Sequence, residues 1–338
     1  MSKGIKVITS VDGIKQGAWS DLVQSSTVAS WFQTPEAYRF FDSLSFLEAF
    51  CVAVENDGVL KGVAVGYIQK DGGKIKQFLS RRAIINGGPL LAKDINEYEL
   101  TALLTATKDL LKRKAIYIES RNFNDYSVWK QIFESNGFVF LPHYDVVVET
   151  SSAEAINKKL DRNRKRNIKK AIDNGLIIES KPNDSDIEAF YAQLQKLYST
   201  KVKVPLYPIE FFRKLSKQTS SRFFLAKNNE GLIIGGLVCV LLTSKSMYAW
   251  FACGEDAKYK YLSPSVMVNY AGICYAAENN IPKFDFMGAG KPDDGGYGVR
   301  DFKLKFGGEL VEYGRYDYIC NHILYNIGKL GVKLLKKL

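Results

Sequence analysis

Apolar and polar positions along this chain fall into two rhythms, and one stretch of the pattern occurs twice. Residues 50–67, FCVAVENDGVLKGVAVGY, read as a strand, a tight polar turn carrying glycine, and a second strand. Residues 223–240, FFLAKNNEGLIIGGLVCV, read the same way. The two align without a gap at a shift of 173 (223 − 50), so that Phe50, Ala53, Asn56, Gly58, Gly62 and Val65 meet Phe223, Ala226, Asn229, Gly231, Gly235 and Val238. The register extends outward, with Pro35 meeting Pro208 at the same shift and His143-Tyr144-Asp145 meeting Arg315-Tyr316-Asp317 at nearly the same one, 172 (315 − 143). A repeat this long implies two copies of a whole domain rather than a solenoid.

The remaining pattern fills in both copies. In the first, helices are predicted over 36–47, 97–112 and 129–136, the last stopped by Gly137. Strands are predicted over 115–119 and 138–149, and Asn86-Gly87-Gly88-Pro89 signals a turn. In the second, helices are predicted over 186–198, 208–217 and 265–279, the last with Ser263 as its cap and Pro264 in its first turn. Strands follow over 222–242 as a hairpin, then 246–253, 283–287 and 309–319. Hairpins mixed with helices give an α/β class with a partly antiparallel sheet. The expected domains are 1–150 and 151–320, followed by a basic amphipathic helix over 321–338. Between the copies, 153–174 reads as one helix held by Ile156, Leu160, Ile168, Ala171 and Ile172, with lysines and arginines on its other face.

Composition narrows the class. The chain has 338 residues, enough for two cores, and is 46% hydrophobic with 20 Phe and 19 Tyr, so disorder is not expected. MSKGIKVITS lacks the apolar stretch of a signal peptide, no run is long enough to span a bilayer, and five scattered cysteines without CxxC spacing read as reduced core thiols. A cytoplasmic protein is expected. The net charge of +11 calls for an anionic partner without naming one.

Several short motifs then stand in a telling order. Arg166-Asn167-Ile168-Lys169-Lys170-Ala171 resembles the R-x-I-K-K-A helix of the FemAB family, the peptidoglycan interpeptide-bridge aminoacyltransferases. Phe302-Lys303-Leu304-Lys305-Phe306-Gly307 resembles that family's F-K-x-x-F-G, Lys283 to Gly288 its preceding strand, and Gly88-Pro89 its first-domain turn. The resemblance implies two tandem GNAT-like acyltransferase domains related by internal duplication. It implies transfer of an amino acid from aminoacyl-tRNA to an amine of a nucleotide- or lipid-linked muropeptide, with no bound cofactor and no metal. Relatives of this architecture use other donors, so an acyl-CoA-dependent N-acyltransferase acting on a cell-envelope amine is one alternative. A non-catalytic RNA-binding protein is another.

The candidate residues fit aminolysis of an activated ester. With only His143 and His322 present, far apart in sequence, neither a His triad nor a multi-histidine metal site is expected, and Cys253 has no evident base. Positioning and oxyanion stabilisation would then carry the reaction. Lys303, behind the Gly288–Gly296 glycine-rich stretch, is the expected oxyanion donor or holder of the tRNA 3′ end, with Asp285 as base or orienting group; the plain alternative for Lys303 is an exposed loop lysine. Arg164, Arg166, Lys169 and Lys170 would grip acceptor phosphates. Tyr248 and Trp250, on one side of a strand, and Tyr297 and Arg300, in the late loop, would line the cleft. No Q/R-x-x-G-x-G/A phosphate loop precedes helix 265–279, which argues against CoA. The long charged helical hairpin of some family members is also missing. The terminal helix 321–338 either packs its apolar face on the second domain or rests on the anionic inner surface of a membrane.

Overall fold

The repeated hairpins form because each pairs two apolar runs across a short polar turn. Asp57 and Gly58 both take positive φ, 49° and 80°, as the tightest hairpin turns require. In the second hairpin Asn228 closes a longer turn, its Oδ1 accepting from the backbone N–H of Glu230 and of Leu232. The computed structural model describes residues 4–70, 80–294 and 298–335. Around each hairpin a mixed sheet is built.

The strands of the first half are β1 (Ile5–Ile8), β2 (Leu47–Asn56), β3 (Val59–Gln69), β4 (Arg82–Gly87), β5 (Leu90–Leu91), β6 (Tyr117–Asn122) and β7 (Val139–Leu141). Those that follow are β8 (Tyr144–Glu149), β9 (Ile177–Glu179), β10 (Ser221–Lys227), β11 (Ile233–Leu242), β12 (Ser246–Gly254), β13 (Lys283–Asp285), β14 (Glu309–Glu312) and β15 (Arg315–Ile319). Among the described residues the first sheet runs β1-β2-β3-β4-β6-β15-β7, with β5 beside β3. The second, read from its far edge, runs β9-β10-β11-β12-β13-β8-β14. The two orders match place by place, which is the duplication seen as topology. The sixth place is reciprocal: β15 fills it in the first sheet and β8 in the second.

This exchange corrects the expected boundaries. The alternating runs 138–149 and 309–319 are not single strands. The first breaks at Pro142-His143 and the second at Tyr313-Gly314, and the two parts of each join different sheets. Gly314 sits at φ 66°, and a Cβ there would lie 2.2 Å from the Phe140 ring, so the second break needs glycine. The compact units are accordingly Met1–His143 with Glu312–Leu338, and Tyr144–Val311, in place of 1–150 and 151–320 with a separate terminal helix.

The first unit packs Trp31, Phe40, Phe41, Leu100, Leu103 and Leu104 around its sheet. In the second, helix Pro264–Glu278 covers one face through Val268 and Ile273, with Leu237, Cys239, Met247 and Phe284 in the same core. Helices Asp184–Leu197 and Ile209–Leu215 supply Phe190, Phe211 and Phe212, which meet Phe223 and Phe251 ring to ring. The basic segment is two helices, Ala153–Lys159 and Arg162–Asp173, because Asp161 caps the second by accepting from Asn163 N–H at 2.9 Å. Ile156, Leu160, Ile168 and Ala171 are buried as expected, whereas Ile172 is 59% exposed. Ser263 makes no capping bond; it takes a left-handed conformation, and its hydroxyl donates to Lys260 O.

Strand β15 is fixed in the first sheet by a charge cluster around the buried Glu119. Glu119 on β6 accepts from Arg315 at 2.5 Å and from Arg121 at 2.9 Å, while Tyr316 stacks on Phe133 with centroids 4.2 Å apart. Burial pushes the Glu119 carboxyl up, but the two guanidiniums more than offset this and hold it at about 2. A depressed carboxyl stabilises the fold above its unfolded pKa and ceases to do so as pH falls through the folded value. Glu119→Gln should therefore lose about 3 kcal/mol at pH 7. In denaturant titrations the gap to the parent should close between pH 4.5 and about 2. A gap independent of pH means that the cluster does not hold β15 electrostatically.

Candidate active site

The second sheet opens along its middle. Strands β12 and β13 pair in parallel only at Met247↔Phe284 and Tyr248↔Asp285. The equivalent pair in the first sheet, β4 and β6, continues from Arg82↔Tyr117 to Gly87↔Asn122. After Asp285 the chain stays with β8: Phe286 N–H donates to Val146 O at 3.0 Å, and Tyr144 N–H to Gly290 O at 2.8 Å. Strand β12 instead runs on to Gly254, bulged so that Val238 faces Phe251 while Cys239 faces Ala249. Beyond Tyr248 no strand among the described residues pairs with β12 on that side. The result is a wedge with Asp285 at its apex and a strand edge able to receive an extended amide-bearing ligand.

The segment 286–291 beside the wedge is held by charged side chains bonded to its backbone. Asp285 Oδ1 accepts from Met287 N–H at 2.7 Å, and Asp145 on β8 accepts from Gly288 N–H. The Lys303 ammonium donates to the carbonyls of Phe286 (2.8 Å), Met287 (3.2 Å) and Gly288 (2.5 Å). Arg300 donates from Nε to Ala289 O at 2.8 Å and from Nη2 to Lys291 O at 2.6 Å, with its guanidinium 4.9 Å from the Tyr144 ring centroid. Arg300 and Lys303 lie three apart on helix Gly298–Leu304, so one face of that helix grips the whole segment. The grip sustains left-handed backbone at Met287 (φ 51°), a conformation that costs a non-glycine residue about 1–3 kcal/mol and is found mostly where function requires it.

Two of these titratable groups, Asp285 and Lys303, are shifted by burial and by their charged neighbours. Burial pushes the Asp285 carboxyl well above the ordinary carboxylate range, and the charge of Asp145 adds to this. Burial brings the Lys303 ammonium down to about 8, against the upward pull of Asp145 and Asp285. One acid held toward its neutral form and one amine that titrates near neutrality make a pair suited to moving protons.

The structure thus brings Lys303, Asp285 and Arg300 together. It uses Lys303 in a way sequence reasoning does not foresee, since the three N–H groups of the ammonium already have three carbonyl acceptors. Tyr297 lies outside the described residues. Tyr248 is 1% exposed and forms the apex as part of the core. Trp250 sits in the bulge, which breaks the alternation expected to align it with Tyr248, and rests on Phe211 at 5.1 Å. Arg164 is not on the basic face. It is buried, donates to Phe302 O at 3.0 Å, and lies over Phe302 (4.2 Å) and Phe306 (4.9 Å). Arg166, Lys169 and Lys170 are exposed on helix Arg162–Asp173, with Arg166 donating to Asn163 Oδ1.

Sequence reasoning missed Asp145, although the duplicated Tyr-Asp pair marks it, and it missed Asp256. The Asp256 carboxylate accepts from Ser265 N–H at 3.1 Å, occupying the positive end of helix Pro264–Glu278. Helix Glu97–Leu111 holds the equivalent position in the first unit, and there Glu99 and Asn96 form a closed capping box. Cys253 is buried, its thiol pushed up to about 12, so it supplies no thiolate.

Comparison with known proteins agrees with this architecture. Over 194 residues, 54% of this chain and 43% of the other, the chain is 27% identical to the lipid II:glycine glycyltransferase of Staphylococcus haemolyticus (strain JCSC1435), so it spans less than half the length of that relative. FemX superposes with a TM-score of 0.71 at 17% identity, covering 95% of this chain and 99% of that one. A tandem GNAT protein from the clavulanic acid biosynthesis pathway gives 0.60 at 10% identity, covering 94% and 99%. The L-PGS of Bacillus licheniformis gives 0.57 at 12%, covering 96% and 98%. At these identities the likeness is one of fold, two GNAT-like domains in tandem. Residues 210–333, which include the wedge, the gripped segment and Lys303, match the FemAB family, so it is over this segment that the chain is similar to that family.

Proposed function

We propose that this protein is an aminoacyltransferase that moves an amino acid from aminoacyl-tRNA to an amine of a peptidoglycan precursor by direct aminolysis. The observation that carries this reading is the wedge apex, where a carboxyl held toward neutrality and a lysine of pKa about 8 stand beside an open strand edge, with no thiolate in reach of the role of nucleophile. The acceptor amine attacks the ester carbonyl, a C–N bond forms, and the C–O bond to the tRNA ribose breaks. The proton lost by the amine passes to the departing ribose oxygen, with Asp285 as the relay. Lys303 and Arg300 position the segment that forms one wall, and the exposed cations Arg166, Lys169 and Lys170 attract acceptor phosphates. The relative's transfer of glycine to lipid II supports a muropeptide acceptor. The carboxylates at both helix N-termini support a donor other than acyl-CoA, because a pyrophosphate seated there would meet like charge. Among the described residues no helix is long and apolar enough to cross a membrane.

The donor is tested directly. Aminoacylated bulk tRNA with a nucleotide-linked muropeptide should yield an aminoacylated muropeptide, and the muropeptide alone should raise the melting temperature. Acetyl-CoA should do neither. Acetyl transfer from acetyl-CoA to an envelope amine makes the protein an N-acyltransferase of the other type. Stabilisation by tRNA without turnover of any acceptor makes it an RNA-binding protein.

Turnover should fall as pH rises through about 8, where the Lys303 ammonium loses its proton and releases the carbonyls of 286–288. Lys303→Met should cost ~10²-fold through the misplaced wall, and hydrogen exchange at the amides of 287–290 should rise with it. Lys303→Arg should keep the charge and remove the limb near pH 8. Unchanged exchange in an inactive Lys303→Met would show that the ammonium acts on the reacting atoms instead.

Arg166→Ala should weaken muropeptide binding by ~1.5–3 kcal/mol with little effect on turnover at saturation. Calorimetry with the nucleotide-linked form decides this: an unchanged dissociation constant means that the helix face is merely solvated.

A further inference from the structure

Helix His322–Leu335 belongs to the first unit and is fastened to it at one end. The backbone N–H groups of Cys320 and Asn321 both donate to Ile116 O, Asn321 caps the helix by accepting from Leu324 N–H, and Tyr325 meets Tyr117 with centroids 5.5 Å apart. This docking leaves an apolar face uncovered. Ile323 is 73% exposed and Ile327 46% exposed, and residues four apart lie one above the other on a helix. Neither residue is packed into the core of the first unit. Beside them Lys329 is exposed, its ammonium 5.0 Å from the Tyr325 ring. From Tyr318 to Leu338 the sequence contains Lys329, Lys333, Lys336 and Lys337 and neither aspartate nor glutamate.

We propose that this face of helix His322–Leu335 docks on an anionic lipid bilayer. The chemistry required of the occupant is specific: an apolar layer deep enough to receive two isoleucines one turn apart, bordered by negative charge for the lysines. A bilayer surface rich in anionic headgroups supplies both along a helix lying in its plane. A second copy of this chain supplies the wrong charge, since each copy carries a net +11 and the same lysines. The inference stands apart from the acyl-transfer reading, because binding is measured without substrate.

The test is sedimentation of the full chain with vesicles in low salt. Vesicles of phosphatidylcholine mixed with phosphatidylglycerol should carry the protein down, pure phosphatidylcholine should not, and raised salt should release it. The double variant Ile323→Ser with Ile327→Ser should weaken partitioning at least roughly tenfold, the scale expected for withdrawing two large apolar side chains from an apolar layer. Its melting temperature should match the parent's, because both residues are exposed in the folded protein. Lys329→Glu provides a second variant whose side chain is equally free of the core, and it too should weaken binding. Failure to sediment with anionic vesicles overturns the proposal, as does equal binding to phosphatidylcholine alone. Retained binding by both variants does so too. A large drop in melting temperature for the double variant would show that the isoleucines are packed, which also overturns it. Binding to soluble polyglutamate but not to vesicles would return the face to an acidic protein partner.

Discussion

The reciprocal placing of β8 and β15 is the constraint on which the rest of this structure depends. A central strand needs partners on both sides for its backbone groups, and in each sheet the sixth place is filled from the other half of the sequence. The wedge in the second sheet inherits this arrangement. Asp145, which bonds Gly288 N–H and raises the pKa of Asp285, arrives on β8 rather than on any strand of the second copy's own sequence. The site is thus assembled by the same exchange that completes the sheet. On the other side, Glu119 and its two arginines fasten β15 where a purely apolar strand would be free to slip in register.

Charge and burial are set against each other in the segment 286–291. Two carboxyls and one ammonium are taken out of water, a costly arrangement unless further hydrogen bonds satisfy them. Here backbone amides receive the carboxylates and backbone carbonyls receive the ammonium. The outcome is a rigid wall with titratable groups whose affinities for protons have been drawn toward neutrality from opposite directions. A loop held by apolar packing alone would be equally rigid but chemically inert. Placing Arg300 and Lys303 on one short helix means that this helix and the wall act as a unit.

Much of this was legible in the sequence, and what was not shares one cause. The duplication, both hairpins and the main helices follow from periodicity and turn chemistry, which are local. Strand partners are not local: alternation across 138–149 and 309–319 is the same whether the run enters one sheet or two, so periodicity does not mark the breaks at Pro142-His143 and Tyr313-Gly314. The bulge at Trp250 is likewise set by pairing with β11, and it changes which residues share a face. Arg164 looked like its neighbours Arg166 and Lys169 because a charge run does not reveal which member finds Phe302 and Phe306 beneath it. Lys303 and Asp285 were found through motif resemblance, whereas Asp145 was hidden in the repeat as a mere alignment match.

The exchange also bears on how such a gene changes over time. Two fused copies of a domain are ordinarily modules that recombination can separate, reorder or replace. Here a cut at the duplication boundary would leave each product with a strand belonging to the other and a gap in its own sheet, exposing unpaired edges prone to aggregation. Once the strands had traded places, the halves could no longer be inherited apart. Each was then free to diverge in sequence only so long as it continued to supply a strand that fits its neighbour's sheet.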